Sequence, residues 1–319
     1  MVKYILARAV IAIPMVFAIS RVTFVVSNLA PGDPVTAMVD PNTIAVMPKG
    51  YLEQRRQQLG LDKPMSVRYV LWLGQLVRGN LGYSYFNGIS VAERIRIRAL
   101  PTLELAGAAL VIGTVLGVVF GVVAALRQYS IYDYVLTFLS LFGLAIPSFF
   151  FALIALYLLS YKIELFPAWG MSSTDEFSLR DNLYHLVLPA SILSIELMAG
   201  TARYARTAML EVLDSDYMNT ARAKGLSELV VVGRHAFRNA LLPLITVTSL
   251  RLPFLFGGAI IIEFMFAWPG MGRLAISAIE ARDYSVLMGL TFVVAVVVLI
   301  SNLLADVLYA CTDPRIRTG

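Results

Sequence analysis

Charge is scarce in this chain. Asp, Glu, Lys and Arg make up 15% of its 319 residues, while hydrophobic residues make up 58%. An average soluble domain carries about 25% charged residues, so this composition cannot cover a water-facing surface. Cysteine is scarcer still. Cys311 stands alone and rules out an internal disulfide, and with only His185 and His235 beside it no histidine–cysteine metal cage is expected. No glycine is followed by lysine anywhere in the chain. The G-x-x-x-x-G-K-[ST] loop that cradles nucleotide phosphates is therefore absent, and nucleotide-driven work would need another chain to bind the nucleotide.

What is present comes in apolar blocks. Residues 107–126, 134–161 and 284–305 carry no charge over twenty, twenty-eight and twenty-two positions. A bilayer core of roughly 30 Å needs about 20 helical residues, so each block is expected to span a membrane. Three further spans hold one charge each: 10–30 with Arg21, 185–202 with Glu196 and 244–262 with Arg251. Burial inside a large soluble protein would explain these alone, but not beside three uncharged spans. The first span follows Lys3 and Arg8 like a secretory signal. It runs past signal length, however, and "APGDP" follows it instead of a small-x-small cleavage site. An uncleaved first helix is expected.

Six spans with the N-terminus inside leave residues 1–9, 127–133, 203–243 and 311–319 in the cytoplasm, with eleven Lys and Arg. The short outer loops 162–184 and 267–283 hold four. The positive-inside rule favours this orientation, with both termini cytoplasmic. The basic balance thus has a membrane explanation and needs no nucleic-acid partner. Residues 31–100 form a long outer segment. Trp72 beside Leu71, Leu73, Leu76 and Val77 predicts a short amphipathic helix ending near Gly79–Gly82. Apolar residues recur throughout the segment, as in a small folded cap.

Gly113, Gly117 and Gly121 recur every four residues. In lipid, helices associate through close backbone approach, which such a row permits. Pro147, in "GLAIPSFFF", falls in mid-span and removes a backbone hydrogen bond, a break tolerated where protein or a water-filled cavity supplies a partner. Pro253 repeats the pattern near Arg251. Either proline could serve packing alone; together they point to a pathway. Charges at membrane depth cost roughly 2.5–3.5 kcal/mol each, so Arg21, Glu196 and Arg251 are not expected to face lipid. Mutual pairing or snorkelling is the bland account. A polar cavity meeting a zwitterionic solute is the sharper one.

Residues 214–244 do not fit the oily remainder. Asp214 or Ser215 can cap a short helix carrying Tyr217, Thr220, Ala221 and Lys224 at spacings of three and four. Gly225 supplies a left-handed stop, and Ser227 can cap a second helix running towards Pro243. A solvated loop of this length is unusual; a small-residue face flanked by cations suits a groove on another protein.

These residues, "DYMNTARAKGLSE" and "GRHAFRNALLPLIT", resemble the cytoplasmic loop of permease subunits of ATP-binding-cassette importers, in the dipeptide, oligopeptide and nickel branch. "LAPGDP" (29–34), "LGLDKP" (59–64), "LPTLELA" (100–106), "GLAIPSF" (143–149), "HLVLPA" (185–190), "EFMFAWPGMGR" (263–273), "RDYSV" (282–286) and "DPRIR" (313–317) extend the resemblance over almost the full length, in order. It implies an all-α membrane protein with six transmembrane helices of the type I importer permease fold. In that layout residues 1–30 hold helix 1, 31–100 are extracytoplasmic, 101–310 are the core with a coupling loop at 206–243, and 311–319 are the tail. It also implies a bacterial or archaeal inner-membrane location, a coupling helix formed here by Asp216, Tyr217, Thr220, Ala221, Ala223, Lys224 and Gly225, and a translocation path whose candidates are Pro147, Ser148, Glu196, Arg251 and Glu263. The implied partners are a second homologous permease in a heterodimer, two ATPase subunits that bind the ATP and Mg, and an extracytoplasmic solute-binding protein. No cofactor or catalytic residue is implied in this chain. Asn219-Thr220-Ala221 replaces the usual Glu-Ala-Ala, and the distance from Gly225 to Pro243 is longer than in sugar importers; both resemble the peptide branch. Peptides are the cargo this branch implies first, with nickel chelates or oligosaccharides as alternatives.

Two other classes compete. A self-contained secondary transporter or channel needs a midplane ion site and usually internal repeats; neither is visible, and the polar loop would go unexplained. A membrane hydrolase needs a nucleophile, a base and an orienting group, yet His185 and His235 fall towards opposite faces in this topology.

Overall fold

The computed structural model describes residues 2–29, 35, 48, 50–58, 60–174, 178–241, 244, 248 and 259–312. In chain order the helices are α1 (Val2–Leu29), α2 (Tyr51–Gln58), α3 (Met65–Val77), α4 (Val91–Leu126), α5 (Ile131–Ala145), α6 (Ser148–Ala155), α7 (Leu179–Leu213), α8 (Asp216–Ala223), α9 (Glu228–Val230), α10 (Met271–Glu280) and α11 (Tyr284–Thr312). Residues 259–265 are also helical. Wide π turns continue α6 through Leu156–Lys162 and α9 through Val231–Phe237. Among the described residues there is no strand beyond one isolated bridge, Tyr83 to Ser90.

Among the described residues, four stretches are long and apolar enough to cross a membrane: Val10–Leu29, Val91–Leu126, Leu179–Leu213 and Tyr284–Val307. The span expected at 134–161 is not one straight helix. It is split into Ile131–Ala145 and Ser148–Lys162, bent by 101°. Proline is the cause. Its ring disfavours a helical conformation in the residue before it, and Ile146 is extended at φ −94°, ψ 126°. Pro147 itself, at ψ 141°, opens α6. The expected span at 244–262 falls largely outside the described residues, as do Arg251 and Pro253.

The chain folds as two compact units. One holds residues 102–268 with 1–6 and 300–319; the other holds 7–101 and 269–299. In the first, a core of Leu105, Ala109, Ala152, Ala155, Leu193, Leu197, Ile262, Phe266 and Trp268 joins α4, α6, α7 and the 259–265 helix. The glycine row of α4 lies against α7, as its spacing predicts. A β-carbon on Gly117 would sit 2.7 Å from Thr201 Cβ and 2.8 Å from the Met198 carbonyl; on Gly121 it would overlap the Ala202 carbonyl.

In the second unit the amphipathic helix expected after residue 64 is α3. The Trp72 ring lies 5.7 Å from that of Phe24 and 6.3 Å from that of Phe292, and the Tyr69 hydroxyl lies 3.0 Å from Ser20 Oγ. The following loop turns at Gly79 and Gly82, both at positive φ. Buried Asp283 pins it, accepting from Ser84 Oγ, from the Tyr85 N–H at 3.2 Å and from Arg94 at 3.4 Å. This part of the 31–100 segment is folded, and α4 begins inside it at Val91.

Candidate functional site

The polar stretch after α7 folds as a helix, a turn and a second helix, as its capping residues predict, although the caps differ in detail. Ser215 does not cap α8 with its side chain; its hydroxyl donates back to the Val212 carbonyl at 2.5 Å. Gly225 turns the chain at φ +76° and donates its N–H to the Arg222 carbonyl at 2.9 Å. Across the turn, the Arg222 guanidinium pairs with Glu228 at 3.1 Å. Ser227 opens α9 in an extended conformation without a side-chain cap.

The hairpin has two unlike faces. Inward, Met218 and Ala221 of α8 pack with Val231, Ala236 and Ala240 of the return helix against Ala125, Ala208 and Met209. Met218, Val231, Ala236 and Ala240 are fully buried. Such burial makes the hairpin one body with the ends of α4 and α7. Outward lie Asp216, Tyr217, Thr220, Ala223, Lys224 and Gly225. Tyr217 OH accepts from Asn239 Nδ2 at 3.2 Å, and Leu229 stands 88% exposed beside Leu226 and Val230. The expected coupling set therefore divides. Six of its residues share the outward face, while Ala221 belongs to the internal packing.

The expected path residues also divide. Pro147 is exposed at the α5–α6 break and Ser148 is half-buried beside it. Glu196 is exposed at the middle of α7. Glu263 is fully buried instead, and its carboxylate accepts the Thr102 hydroxyl at 2.5 Å; it ties the 259–265 helix to α4. Arg251 lies outside the described residues.

Residues that escaped the sequence reading complete the α7 face. Gly200, Arg203, Tyr204 and Thr207 line a cavity of about 310 Å³ together with Leu144 of α5. Positions 196, 200, 203, 204 and 207 recur at helical spacings of three and four. That signal is present in the sequence, but the apolar span ends at Ala202 whereas the helix runs on to Leu213. Arg206 and Asp133, 73 residues apart, form a bidentate pair at 2.6 and 2.8 Å that no local pattern announces.

The chain has counterparts among known proteins. The family model of the binding-protein-dependent transport system inner membrane component matches residues 117–318, and that of its N-terminal region matches residues 1–106. The chain belongs to this family. Membership makes it a transport component, one part of a multi-pass inner-membrane system that works with a binding protein and ATPases, and not an enzyme. The oligopeptide transport system permease protein AppB of Bacillus subtilis is 42% identical over 319 residues, covering 99% of this chain and 100% of that one. The dipeptide transport system permease protein DppB of Escherichia coli K12 is 37% identical over 339 residues, covering 99% of each. Among solved structures, a chain of the MetNI methionine ABC transporter in an inward-facing conformation aligns at a TM-score of 0.56 and 15% identity, covering 69% of this chain and 96% of that one. At that identity the likeness concerns the fold, which is that of an ABC importer permease.

Proposed function

We propose that this chain is the permease subunit through which an ATP-driven importer moves short peptides into the cell. The observation that carries the reading is the two-faced hairpin. Its inner face is welded to α4 and α7, while its outer face exposes Leu229, Tyr217 and Leu226, apolar groups that isolated water-facing loops have no use for. A partner groove that takes this face can push the hairpin, and the buried inner face passes the displacement to the membrane helices as a rigid body. ATP and Mg are bound by two partner ATPases, in keeping with the missing P-loop. A second, homologous permease completes the path, and an extracytoplasmic binding protein delivers the cargo. Both termini and the hairpin face the cytoplasm. The full-length identity to proteins named for oligopeptide and dipeptide transport supports peptides as the cargo.

The path itself runs along the exposed polar face of α7, past Glu196 and the Pro147–Ser148 break. In this reading Glu263 holds the walls together and does not touch cargo. Co-expression with the neighbouring permease, ATPases and binding protein, followed by reconstitution into lipid vesicles, tests the proposal. Labelled tripeptide should accumulate only with ATP and binding protein both present. Accumulation by this chain alone, driven by an ion gradient, would replace the reading with a secondary transporter.

A further inference from the structure

The α7 face poses a problem of charge. Glu196 and Arg203 are both exposed on a membrane-spanning helix, and neither side chain has a partner among the described residues. The buried carboxylates of the same unit, Asp133 and Glu263, are satisfied by Arg206 and Thr102. An unpaired charge at membrane depth costs roughly 2.5–3.5 kcal/mol, so Glu196, at the middle of α7, calls for an occupant with a positive group, and Arg203 stands two turns further along the same face to meet a negative one.

We propose that Arg203 and Glu196 form a zwitterion site in the transport path, with Arg203 taking the carboxylate of a short peptide and Glu196 its free amino group. The inference rests on the importer reading above. Arginine is suited to the role because its planar fork offers a carboxylate two parallel hydrogen bonds. Tyr204 and Thr207 add hydroxyls to the cavity that Arg203 lines, and Gly200, between the two charges, contributes no side chain to obstruct a bound chain. A volume of about 310 Å³ lies at the lower end of small-ligand sites, which run from about 300 Å³ upward. Spacing sets the length of the ligand. Seven residues along a helix rise about 10 Å, and an extended peptide covers about 3.5 Å per residue. The two charges therefore match the ends of about three residues. A single amino acid is too short to bridge them.

The test uses the complete complex, with both permeases, the ATPases and the binding protein, in lipid vesicles. Four labelled forms of one tripeptide are compared: free, C-terminally amidated, N-acetylated and doubly blocked. Dividing each variant's uptake ratios by those of the wild type cancels the preference of the binding protein. Arg203→Gln is expected to lower the free-over-amide ratio about tenfold while leaving the free-over-acetyl ratio within about twofold. Glu196→Gln is expected to do the reverse. Arg203→Lys, which keeps the charge but loses the fork, should fall between wild type and Arg203→Gln. If uptake of all four forms drops together, or the second permease no longer co-purifies, the face is a subunit contact and the proposal fails. Unchanged ratios also overturn it. Wild-type complex that hydrolyses ATP but accumulates no peptide would sink the importer reading itself, a result distinct from either.

Discussion

Arg206 holds both carboxylate oxygens of Asp133, Nε at 2.6 Å and Nη2 at 2.8 Å. Asp133 is also offered the Tyr129 N–H at 3.0 Å. Its side chain is 3% exposed and that of Arg206 is 28% exposed. The pair binds the first turn of α5 to the part of α7 that leads into the hairpin. A charged contact therefore joins the bent helix pair to the stem of the hairpin, beside the packing of Gly143 on Ile195 and Ala199.

Removing one partner of a buried ion pair leaves the other uncompensated, at a cost of roughly 3–5 kcal/mol in the fully buried case. Arg206→Met strands the more buried charge, whereas Asp133→Asn retains an acceptor for Tyr129 and leaves a partly exposed guanidinium. Arg206→Met should therefore lower the melting temperature of the detergent-solubilised complex more than Asp133→Asn. The opposite order would mean that the pair is not what holds α5 to α7.

Gly225 stands at φ +76° with open space around it. A side chain there meets no neighbour, so its cost comes from the backbone alone, about 1–2 kcal/mol for a left-handed residue. Gly225→Ala should insert and assemble, with uptake reduced only modestly. Gly225→Asp adds a charge on the face proposed to meet the ATPases. Its expected signature is ATP hydrolysis continuing while labelled peptide uptake falls at least tenfold. Parallel loss of both activities would indicate misfolding instead of uncoupling.

Ala221 and Leu229 make opposite forecasts from the same hairpin. Ala221 is packed inside, so Ala221→Leu overfills the core between α8 and the return helix, an error that costs about 1–3 kcal/mol. Leu229 projects outward, and Leu229→Asp should leave the subunit's own stability within about 0.5 kcal/mol while weakening retention of the ATPases on an affinity column. Thermal melts of the separated permease pair distinguish the two. Equal destabilisation by both substitutions would contradict the two-faced hairpin.

Much of this is legible in the residues alone. The hairpin can be read because Ser215, Gly225 and Ser227 are local stop and start signals, and the α4–α7 contact because three glycines share a period. The 101° bend is only half legible: Pro147 marks where a helix breaks, but the angle depends on what packs on either side. Three features resist reading for one physical reason, which is that they depend on distant residues. Ala221 and Lys224 both suit an outward face by spacing, and only the partners from α4 and α7 decide which turns inward. Nothing near Glu263 in the sequence announces that it is buried against Thr102. Arg203 reads as a loop cation because hydropathy stops at Ala202 while the helical hydrogen bonds continue.

Gly107 and Gly117 lie on the same helix and separate two effects of opposite sign. Replacing glycine by alanine inside a helix removes backbone freedom from the unfolded chain and is worth up to about 1 kcal/mol. At Gly107 a β-carbon would meet nothing within 4 Å, so Gly107→Ala should gain that increment. At Gly117 the same methyl meets Thr201 Cβ at 2.7 Å and the Met198 carbonyl at 2.8 Å. Neither neighbour can move without shifting α7, because Thr201 is itself buried and the carbonyl is backbone. Overpacking of about 1–3 kcal/mol then outweighs the propensity gain, and Gly117→Ala should melt earlier than wild type while Gly107→Ala melts later. The comparison is best made on the purified complex in one detergent, with both variants on a common scale. If Gly117→Ala proves as stable as Gly107→Ala, α4 and α7 are further apart than this packing requires, and the rigid link from hairpin to membrane helices loses its support.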